Sequence, residues 1–204
     1  MEGIKNIIFD LGGVLLDIDY KKTTAAFEAI GYRDFEKMFS QYKLSPMFED
    51  LETGKIPEDE FLENLIRLST LSVTRKAVLD AWNAMLLEFR TESLVNLTEL
   101  SGKYELYLLS NTNSIHISAF RKIFTRDTGK PTLDDYFRKA WYSHEIGLRK
   151  PYREVYEFVL REGNMEPGET FFIDDTTSNI EMANEIGIRT HLLKPGERIG
   201  QLAL

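Results

Sequence analysis

The residues of this sequence that are most able to do chemistry follow short apolar segments. They comprise carboxylates, a hydroxyl, an amide and a lysine: Asp10, Ser110, Asn111, Lys150, Asp174 and Asp175. Three aspartates that converge without a counter-charge repel one another, and one of them is forced to stay protonated. A divalent cation and a lysine resolve that conflict. Oxygen ligands suit Mg²⁺, which keeps several waters and accepts a phosphate oxygen, so we expect a magnesium site if the fold brings these residues together.

The elements that would position these residues are strands of a parallel sheet. The apolar runs are Asn6 to Asp10, Tyr104 to Asn111, Lys139 to Ser143, Thr170 to Asp175 and Arg189 to Leu193. Continuous apolarity is typical of strands that are covered on both faces. Strands that alternate with helical patterns predict an α/β fold with a doubly wound, Rossmann-like sheet. Ligands bind such sheets at the carboxyl ends of the strands, which is where the polar residues lie.

The segment from about Tyr20 to Arg90 breaks this alternation, because it contains helical patterns and no convincing strand. Apolar stripes with helical spacing occur between Phe61 and Leu68 and between Val78 and Phe89. Pro57, followed by three acids, predicts the start of a helix. We therefore expect a core of residues 1–18 and 92–204 and an inserted helical cap of residues 19–91.

The bulk composition excludes several classes of partner. The chain has 204 residues, a net charge of −8 and no cysteine, so disulfides and thiolate metal sites are excluded. Without a basic footprint, nucleic acid and anionic membrane surfaces are not expected partners. No obligate protein partner is evident. The N-terminal segment has no basic region followed by a long apolar run, and we expect a cytoplasmic protein.

Four motifs occur in an order that resembles a known family. They are FDLGGVL, LLSNTN, GLRKP and FFIDD, the last followed by Asn179. The order and spacing, over almost the whole chain, are similar to the haloacid dehalogenase superfamily of aspartyl-nucleophile hydrolases, and in particular to capped bacterial sugar-1-phosphate phosphatases. The resemblance implies a magnesium-dependent phosphatase that acts on a small phosphorylated metabolite, with a sugar phosphate as the expected substrate.

The resemblance also implies roles for individual residues. Asp10 would attack phosphorus and form an aspartyl-phosphate. Mg²⁺ would be held by Asp10, the backbone carbonyl of Gly12 and Asp175, with Asp174 as a direct or outer ligand.

The phosphate and the substrate would be bound by further matched positions. Ser110 and Asn111 would hold phosphoryl oxygens at a helix start, and Lys150 would supply a positive charge to them. In the cap, FEDLETGKI resembles a substrate-selecting turn, which makes Glu52 and Lys55 candidates for substrate contact.

Gly12 is the main departure from the family pattern. Phosphatases of this family usually carry a second aspartate at this position, which protonates the leaving alcohol. The chain remains a phosphatase in one interpretation, with a bias towards acidic leaving groups such as anomeric, aryl or acyl phosphates. The alternatives are a dehalogenase, which needs no proton for its halide, and a non-catalytic or regulatory family member. The intact acidic pair at 174 and 175 disfavours a dehalogenase.

Four residues are candidates for a substitute proton carrier: Asp17, Asp19, His116 and His144. For both histidines, a surface or capping position is the more ordinary expectation. Trp82 and Phe89 are expected to pack in the core of the cap rather than against a sugar.

Overall fold

The computed structural model of the chain describes residues 1–40, 43–202 and 204. The strands are β1 (Asn6–Phe9), β2 (Leu16–Ile18), β3 (Phe39–Ser40), β4 (Lys43–Leu44), β5 (Leu86–Phe89), β6 (Glu105–Ser110), β7 (Lys139–Tyr142), β8 (Thr170–Asp174) and β9 (Arg189–Leu192). The α-helices are α1 (Tyr20–Ala29), α2 (Pro46–Glu52), α3 (Glu58–Leu68), α4 (Arg75–Asn83), α5 (Thr91–Leu100), α6 (Ser114–Thr128), α7 (Ser143–Ile146), α8 (Arg153–Gly163) and α9 (Thr177–Glu185).

A parallel sheet with the strand order β7-β6-β1-β8-β9 forms the centre of the molecule. In β1, Asn6 lies opposite Glu105 of β6 on one side and opposite Thr170 of β8 on the other. The chain first adds strands on one side of β1 and later on the other. The strand order therefore reverses beside β1, where α/β sheets bind their ligands.

Both faces of the sheet are covered by helices, which explains why its strands are continuously apolar. Ile7 and Phe9 of β1 pack on one face, against residues of α5 and α6. Ile8 points to the opposite face, where it packs with residues of α8 and α9. The predicted doubly wound α/β core is confirmed.

The inserted segment has its own hydrophobic core, which is rich in aromatic side chains. Its fully buried members include Phe27, Phe35, Phe48, Phe61 and Trp82. Trp82 belongs to the cap core as expected, and α3 begins directly after Pro57, as the acids of its first turn predict.

The prediction of an insert without strands is wrong. β5 pairs antiparallel with β2, so that Leu16 lies opposite Phe89 and Ile18 opposite Leu86, and β3 pairs with β4. Helix α4 ends before this segment, and Phe89 packs with the sheet core rather than with the cap. An apolar spacing that fits a helix was overridden because β2 offers the segment a pairing partner, which sequence spacing cannot reveal.

The two chain connections between sheet and insert thus lie side by side in the β2–β5 ribbon. We propose this ribbon as the junction between the core (residues 1–18 and 92–204) and the cap (residues 19–91). In the described part of the chain, no helix has the length and apolarity needed to cross a membrane.

Candidate active site

Asp10 lies where β1 ends, at the point where the strand order reverses. Its backbone N–H donates to the carbonyl of Ile173 in β8 over 2.9 Å, which continues the sheet for one residue and fixes the direction of the side chain. The carboxylate is buried and accepts a hydrogen bond of 2.7 Å from Lys150 Nζ.

Lys150 is the fully buried cation of the site, with 1% of its side chain exposed. Its Nζ lies 2.7 Å from an oxygen of Asp10 and 2.7 Å from an oxygen of Asp174. Burial disfavours its charge, but the two carboxylates outweigh that effect and raise the pKa of Lys150. Its backbone is clamped by Asn111, whose side-chain amide donates to the Lys150 carbonyl over 2.8 Å and accepts from its N–H over 2.9 Å.

The acidic pair after β8 divides into two environments. Asp174 is fully buried, and its oxygens accept from Lys150 Nζ, from the Thr176 N–H over 2.8 Å and from Asn179 Nδ2 over 3.0 Å. Asp175 is half-buried and lines the crevice. The protein therefore uses Asp174 to hold Lys150, while Asp175 faces the space where a ligand would lie.

Gly13 gives Asp175 the room that it needs. The glycine has a φ of +72°, which L-residues rarely adopt, and a Cβ at this position would overlap the Asp175 carboxylate. The glycine at the end of FDLGG is thus required both by its backbone conformation and by the close approach of an acid from β8.

The carboxylates of Asp10, Asp174 and Asp175 fit a hard cation. Each offers one oxygen, and these oxygens all lie within 4.8 Å of one another. Burial raises the pKa of Asp10 to about 7, although Lys150 opposes this effect, and burial also raises the pKa of Asp175. The charge cluster therefore carries an electrostatic strain that a bound cation relieves, and its all-oxygen chemistry suits Mg²⁺.

Gly12, where a second acid is expected in this family, is not an open position. Its φ is ordinary, and a Cβ built on it would lie 2.9 Å from Cδ1 of Ile18. The nearest neighbour of a side chain at this position is therefore the end of an apolar side chain of the β2–β5 ribbon.

The loop after β6 is also held rigidly. Ser110 is buried at the strand end, and the Ser143 hydroxyl both donates to the carbonyl of Thr112 and accepts from its N–H, each over 2.9 Å. Asn113 then caps α6 by accepting from the N–H of His116. Ser110 and Asn111 both line the crevice.

A crevice of about 530 Å³ separates this core wall from the cap. Its volume suits a small metabolite. On the cap side it is lined by Tyr20, Glu49 and Glu52 with apolar neighbours. Glu52 accepts a 3.0 Å hydrogen bond from Arg149 Nε, and the pair is mostly buried, with 14% and 11% of the side chains exposed.

The two candidate substrate residues in the cap lie in different places. Glu52 lines the crevice, and burial raises its pKa although Arg149 opposes that effect. Lys55 does not line the crevice; 64% of its side chain is exposed, and it pairs with Asp50 at 3.6 Å. The structure therefore brings only Glu52 to the site.

Several crevice residues had no signal in the sequence. Arg149 directly precedes Lys150 in GLRKP, which places it at the site but does not reveal that it pairs with the cap. Tyr152 donates to Glu49 over 3.1 Å across the same seam. Arg90 lies outside the crevice, but it donates to the carbonyls of Gly13 and Val14 and so fixes the turn after Asp10. Tyr20 follows the acidic stretch DID and lines the crevice from the first turn of α1.

Among the four candidate proton carriers, only His116 lines the crevice. Of the two positions expected for it, the surface is wrong, because it is buried and stacked on Trp82 with 4.7 Å between ring centroids. The capping position fits, since its side chain bonds a carbonyl in the last turn of α4. Its Nε2–H donates to the Trp82 carbonyl over 3.1 Å, and its Nδ1 accepts from Asn113 over 3.2 Å. Burial lowers the pKa of His116 to about 4, so it stays neutral.

The chain belongs to the haloacid dehalogenase-like hydrolase family, whose model matches residues 4–187. The chain is similar to a D-ribitol-5-phosphate phosphatase of Bacteroides thetaiotaomicron, with 36% identity over 92% of this chain and 90% of the relative. The predicted family, and with it the prediction of a hydrolase, is confirmed.

Solved structures give the same result for the fold. A haloacid dehalogenase family enzyme from Bacteroides thetaiotaomicron, crystallised with magnesium and inorganic phosphate, superposes with a TM-score of 0.90 and 36% identity over 97% of this chain and 98% of the other. A predicted hydrolase of the same family from Porphyromonas gingivalis has a TM-score of 0.85 and 34% identity over 95% of this chain and 93% of its own.

Proposed function

We propose that this protein is a magnesium-dependent phosphatase that hydrolyses a small phosphorylated sugar or polyol through an aspartyl-phosphate. The observation that carries this proposal is the buried Lys150 ammonium held 2.7 Å from both Asp10 and Asp174, with Asp175 beside them. This arrangement keeps one carboxylate ionised next to a place for a cation and a phosphate. The relatives support it, since one is a phosphatase and another was crystallised with magnesium and phosphate.

In this proposal Asp10 is the nucleophile. The hydrogen bond from Lys150 favours its ionised form against burial and leaves its second oxygen for attack on phosphorus. Asp10, the Gly12 carbonyl and Asp175 would hold Mg²⁺, and Asp174 would act on the metal only at its periphery, because its oxygens already have protein partners. Mg²⁺ supplies neutralisation of the phosphate charge when bound.

Lys150 and Ser110 would bind the phosphoryl oxygens. The Ser110 hydroxyl lies at the strand end beside Asp10, and Lys150 carries the compensating charge. Asn111 contributes differently from the expectation, because its side-chain amide is used by the backbone of Lys150. Its side chain positions the lysine, and any contact of Asn111 with phosphate would come from its backbone N–H.

The cap would select the substrate. Glu52 and Arg149 face the crevice opposite the phosphate position, and both can hydrogen-bond the hydroxyls of a polyol or sugar. The substrate of the ribitol phosphate relative is a phosphate ester of a primary alcohol. A substrate of that class fits the size and the polar groups of this crevice. A cytoplasmic location, without a nucleic acid, membrane or obligate protein partner, completes the proposal.

The dehalogenase alternative is disfavoured by the same geometry. Halide departure requires no metal, yet the chain keeps three carboxylates whose oxygens lie within 4.8 Å of one another, at an energetic cost without a cation. A non-catalytic role is disfavoured for the same reason, because a binding module has no need for a strained acidic cluster.

The proposal is tested by phosphate release from a panel of sugar and polyol phosphates, with Mg²⁺ and with a chelator. Magnesium-dependent release is expected, with pentitol 5-phosphates among the better substrates. Thermal unfolding with added Mg²⁺ gives a second readout, since a ligand that binds only the folded state raises the melting temperature. No turnover and no magnesium-induced stabilisation would overturn the proposal, and chloride release from a 2-haloacid would replace it by the dehalogenase.

A further inference from the structure

Because position 12 is a glycine rather than an aspartate, the proposed reaction has no obvious proton donor. A primary alcohol is a poor leaving group as an alkoxide, and general acid catalysis is typically worth about 10²–10⁴-fold. A substrate of the class proposed above therefore requires some group of this chain to protonate the ester oxygen. Ile18, whose side chain is the nearest neighbour of Gly12 on this side, has no proton to give.

The acids close to Gly12 in sequence are committed elsewhere. Asp17 accepts a 2.6 Å hydrogen bond from Arg90 Nε and lies outside the crevice. Asp19 caps α1 by accepting from the N–H of Lys21 and also lies outside it. Both carboxylates therefore already serve a structural partner.

The two histidines are no better placed. His144 does not line the crevice. His116 does, but its only ring N–H is given to the carbonyl of Trp82, and its other ring nitrogen accepts from Asn113. A neutral histidine that is held in this way has no free proton for a substrate.

Among the described residues of the cap wall, three polar side chains line the crevice, and two of them are engaged. Glu49 accepts from the Tyr152 hydroxyl, and Glu52 accepts from Arg149. For Tyr20, no hydrogen bond of the hydroxyl is found within the described ranges 1–40, 43–202 and 204. Its ring is held by Phe39, with 5.6 Å between the centroids.

Tyr20 also lies within the electric field of the catalytic cluster. Burial, followed by the charges of Glu52, Asp175 and Asp10, raises the pKa of Tyr20. The phenol therefore carries its proton when a substrate enters the crevice. Tyr20 lines the same crevice as Glu52 on the cap side and as Asp10 and Asp175 on the core side.

We propose that the Tyr20 hydroxyl takes the place of the missing acid and donates its proton to the leaving oxygen of an alkyl phosphate. This inference rests on the proposed phosphatase function. In the first half-reaction, an Asp10 oxygen bonds to phosphorus, the bond from phosphorus to the ester oxygen breaks, and the Tyr20 proton passes to that oxygen, which leaves as an alcohol. In the second half, a water oxygen bonds to phosphorus, the bond to Asp10 breaks, and the proton of that water returns to the phenolate.

The matched test compares Tyr20→Phe with Tyr152→Phe, because each removes one hydroxyl from the same crevice and keeps the ring. Single-turnover rates, with enzyme in excess, are measured for a pentitol 5-phosphate and for an aryl phosphate whose leaving phenol needs little proton transfer. Tyr20→Phe is expected to slow alcohol release by about 10²-fold or more, and phenol release by less than about threefold. Tyr152→Phe is expected to change both rates by the same factor.

Equal losses on both esters in Tyr20→Phe would overturn the inference and leave the phosphatase intact. A wild-type enzyme that releases no phosphate from either ester would instead overturn the proposed function. If Tyr20→Phe unfolds before it can be assayed, the test uses the wild-type enzyme, whose rate is measured on a series of esters with leaving groups of different acidity. A shallow dependence supports a proton donor, and a steep one overturns it.

Discussion

The crevice has two walls that are built in different ways. The core wall is a closed network, in which Lys150 joins Asp10 to Asp174 and the side chain of Asn111 holds the lysine backbone. The cap wall is an aromatic cluster whose edge carries a few polar groups, among them Tyr20 and Glu52. The first wall fixes the position of its charges through a network of hydrogen bonds, whereas the second carries a few polar side chains at the edge of an apolar core, each with at most one partner across the crevice among the residues that the structure describes.

We therefore expect the core wall to carry out the reaction and the cap wall to select the substrate. A nucleophile needs a fixed direction and a controlled charge, which only a network anchored in a rigid sheet provides. Selection among leaving groups needs contacts that can change without disturbing that network. The experiments below therefore contrast the loss of a core-wall group with the loss of a cap-wall or surface group of the same chemical type.

The largest effect is expected from Asp10→Asn. The amide keeps the shape of the side chain but cannot form the covalent intermediate, so phosphate release should fall by at least about 10⁴-fold. Steady-state assays with Mg²⁺ measure it. Asp80→Asn is the control, because its side chain is 65% exposed and pairs with Lys76 of the same helix; near wild-type rates are expected there. Activity that survives Asp10→Asn would remove the proposed nucleophile.

Lys150→Met should be the most destabilising of the single changes. It leaves two buried carboxylates without their cation, and breaking a buried ion pair in this way costs about 3–5 kcal/mol of unfolding free energy. The control is Lys5→Met, which also breaks a 2.7 Å pair, with Glu169, but at side chains that are 68% and 39% exposed; its cost should stay below about 1 kcal/mol. Denaturant unfolding without metal measures both, and equal costs would contradict a structural role for the network.

The buried His116 should make stability depend on pH. Its pKa is about 4 in the folded protein, against 6.5 for an unperturbed histidine, so between these values the unfolded chain binds a proton that the folded chain does not. The free energy of unfolding therefore falls as the pH drops from 6.5 to 4, by about 3 kcal/mol for this residue.

Asp10 titrates in the opposite sense, because its raised pKa makes the folded state bind the extra proton. The His116 contribution is therefore measured as the difference in unfolding free energy between wild type and His116→Gln over this pH range. That difference should shrink as the pH falls. A difference that does not change with pH would show that the histidine is not buried in its neutral form.

The smallest effect is expected from the cap wall. Glu52→Gln removes the charge that faces Arg149 and should raise KM for a pentitol phosphate by about tenfold, with a smaller change in kcat. Lys55→Met, in the same cap turn but outside the crevice, should change KM by less than about twofold. Saturation kinetics of the two variants side by side test this, and an equal rise in KM would show that the cap turn as a whole selects the substrate.

The core wall could be read from the sequence because each of its residues follows a strand whose apolar run is visible locally. Asp10, Ser110, Asp174 and Asp175 needed only the rule that parallel strands end at one edge. That Asp174 holds Lys150 while Asp175 faces the crevice could not be predicted from the sequence. This difference depends on spatial neighbours, such as Asn179 for Asp174 and Gly13 for Asp175.

The cap wall could not be read in this way. Glu52 and Arg149 are 97 positions apart, and nothing in the sequence of either segment predicts that the two side chains are in contact. His116 is expected at the surface or as a capping residue, yet Trp82 of the cap covers it. Strand β5 shows the same limit, since its pairing with β2 decides its conformation. Contacts between an insert and its host are long-range, and sequence periodicity is local.

The β2–β5 ribbon has a consequence for how the enzyme could admit its substrate. The two strands that connect the core to the cap pair with each other, with Leu16 opposite Phe89 and Ile18 opposite Leu86. A movement of the cap would therefore bend both strands together. Ile18 belongs to this ribbon and its side chain lies next to Gly12. Bending of the ribbon would therefore also change the packing two residues after the nucleophile.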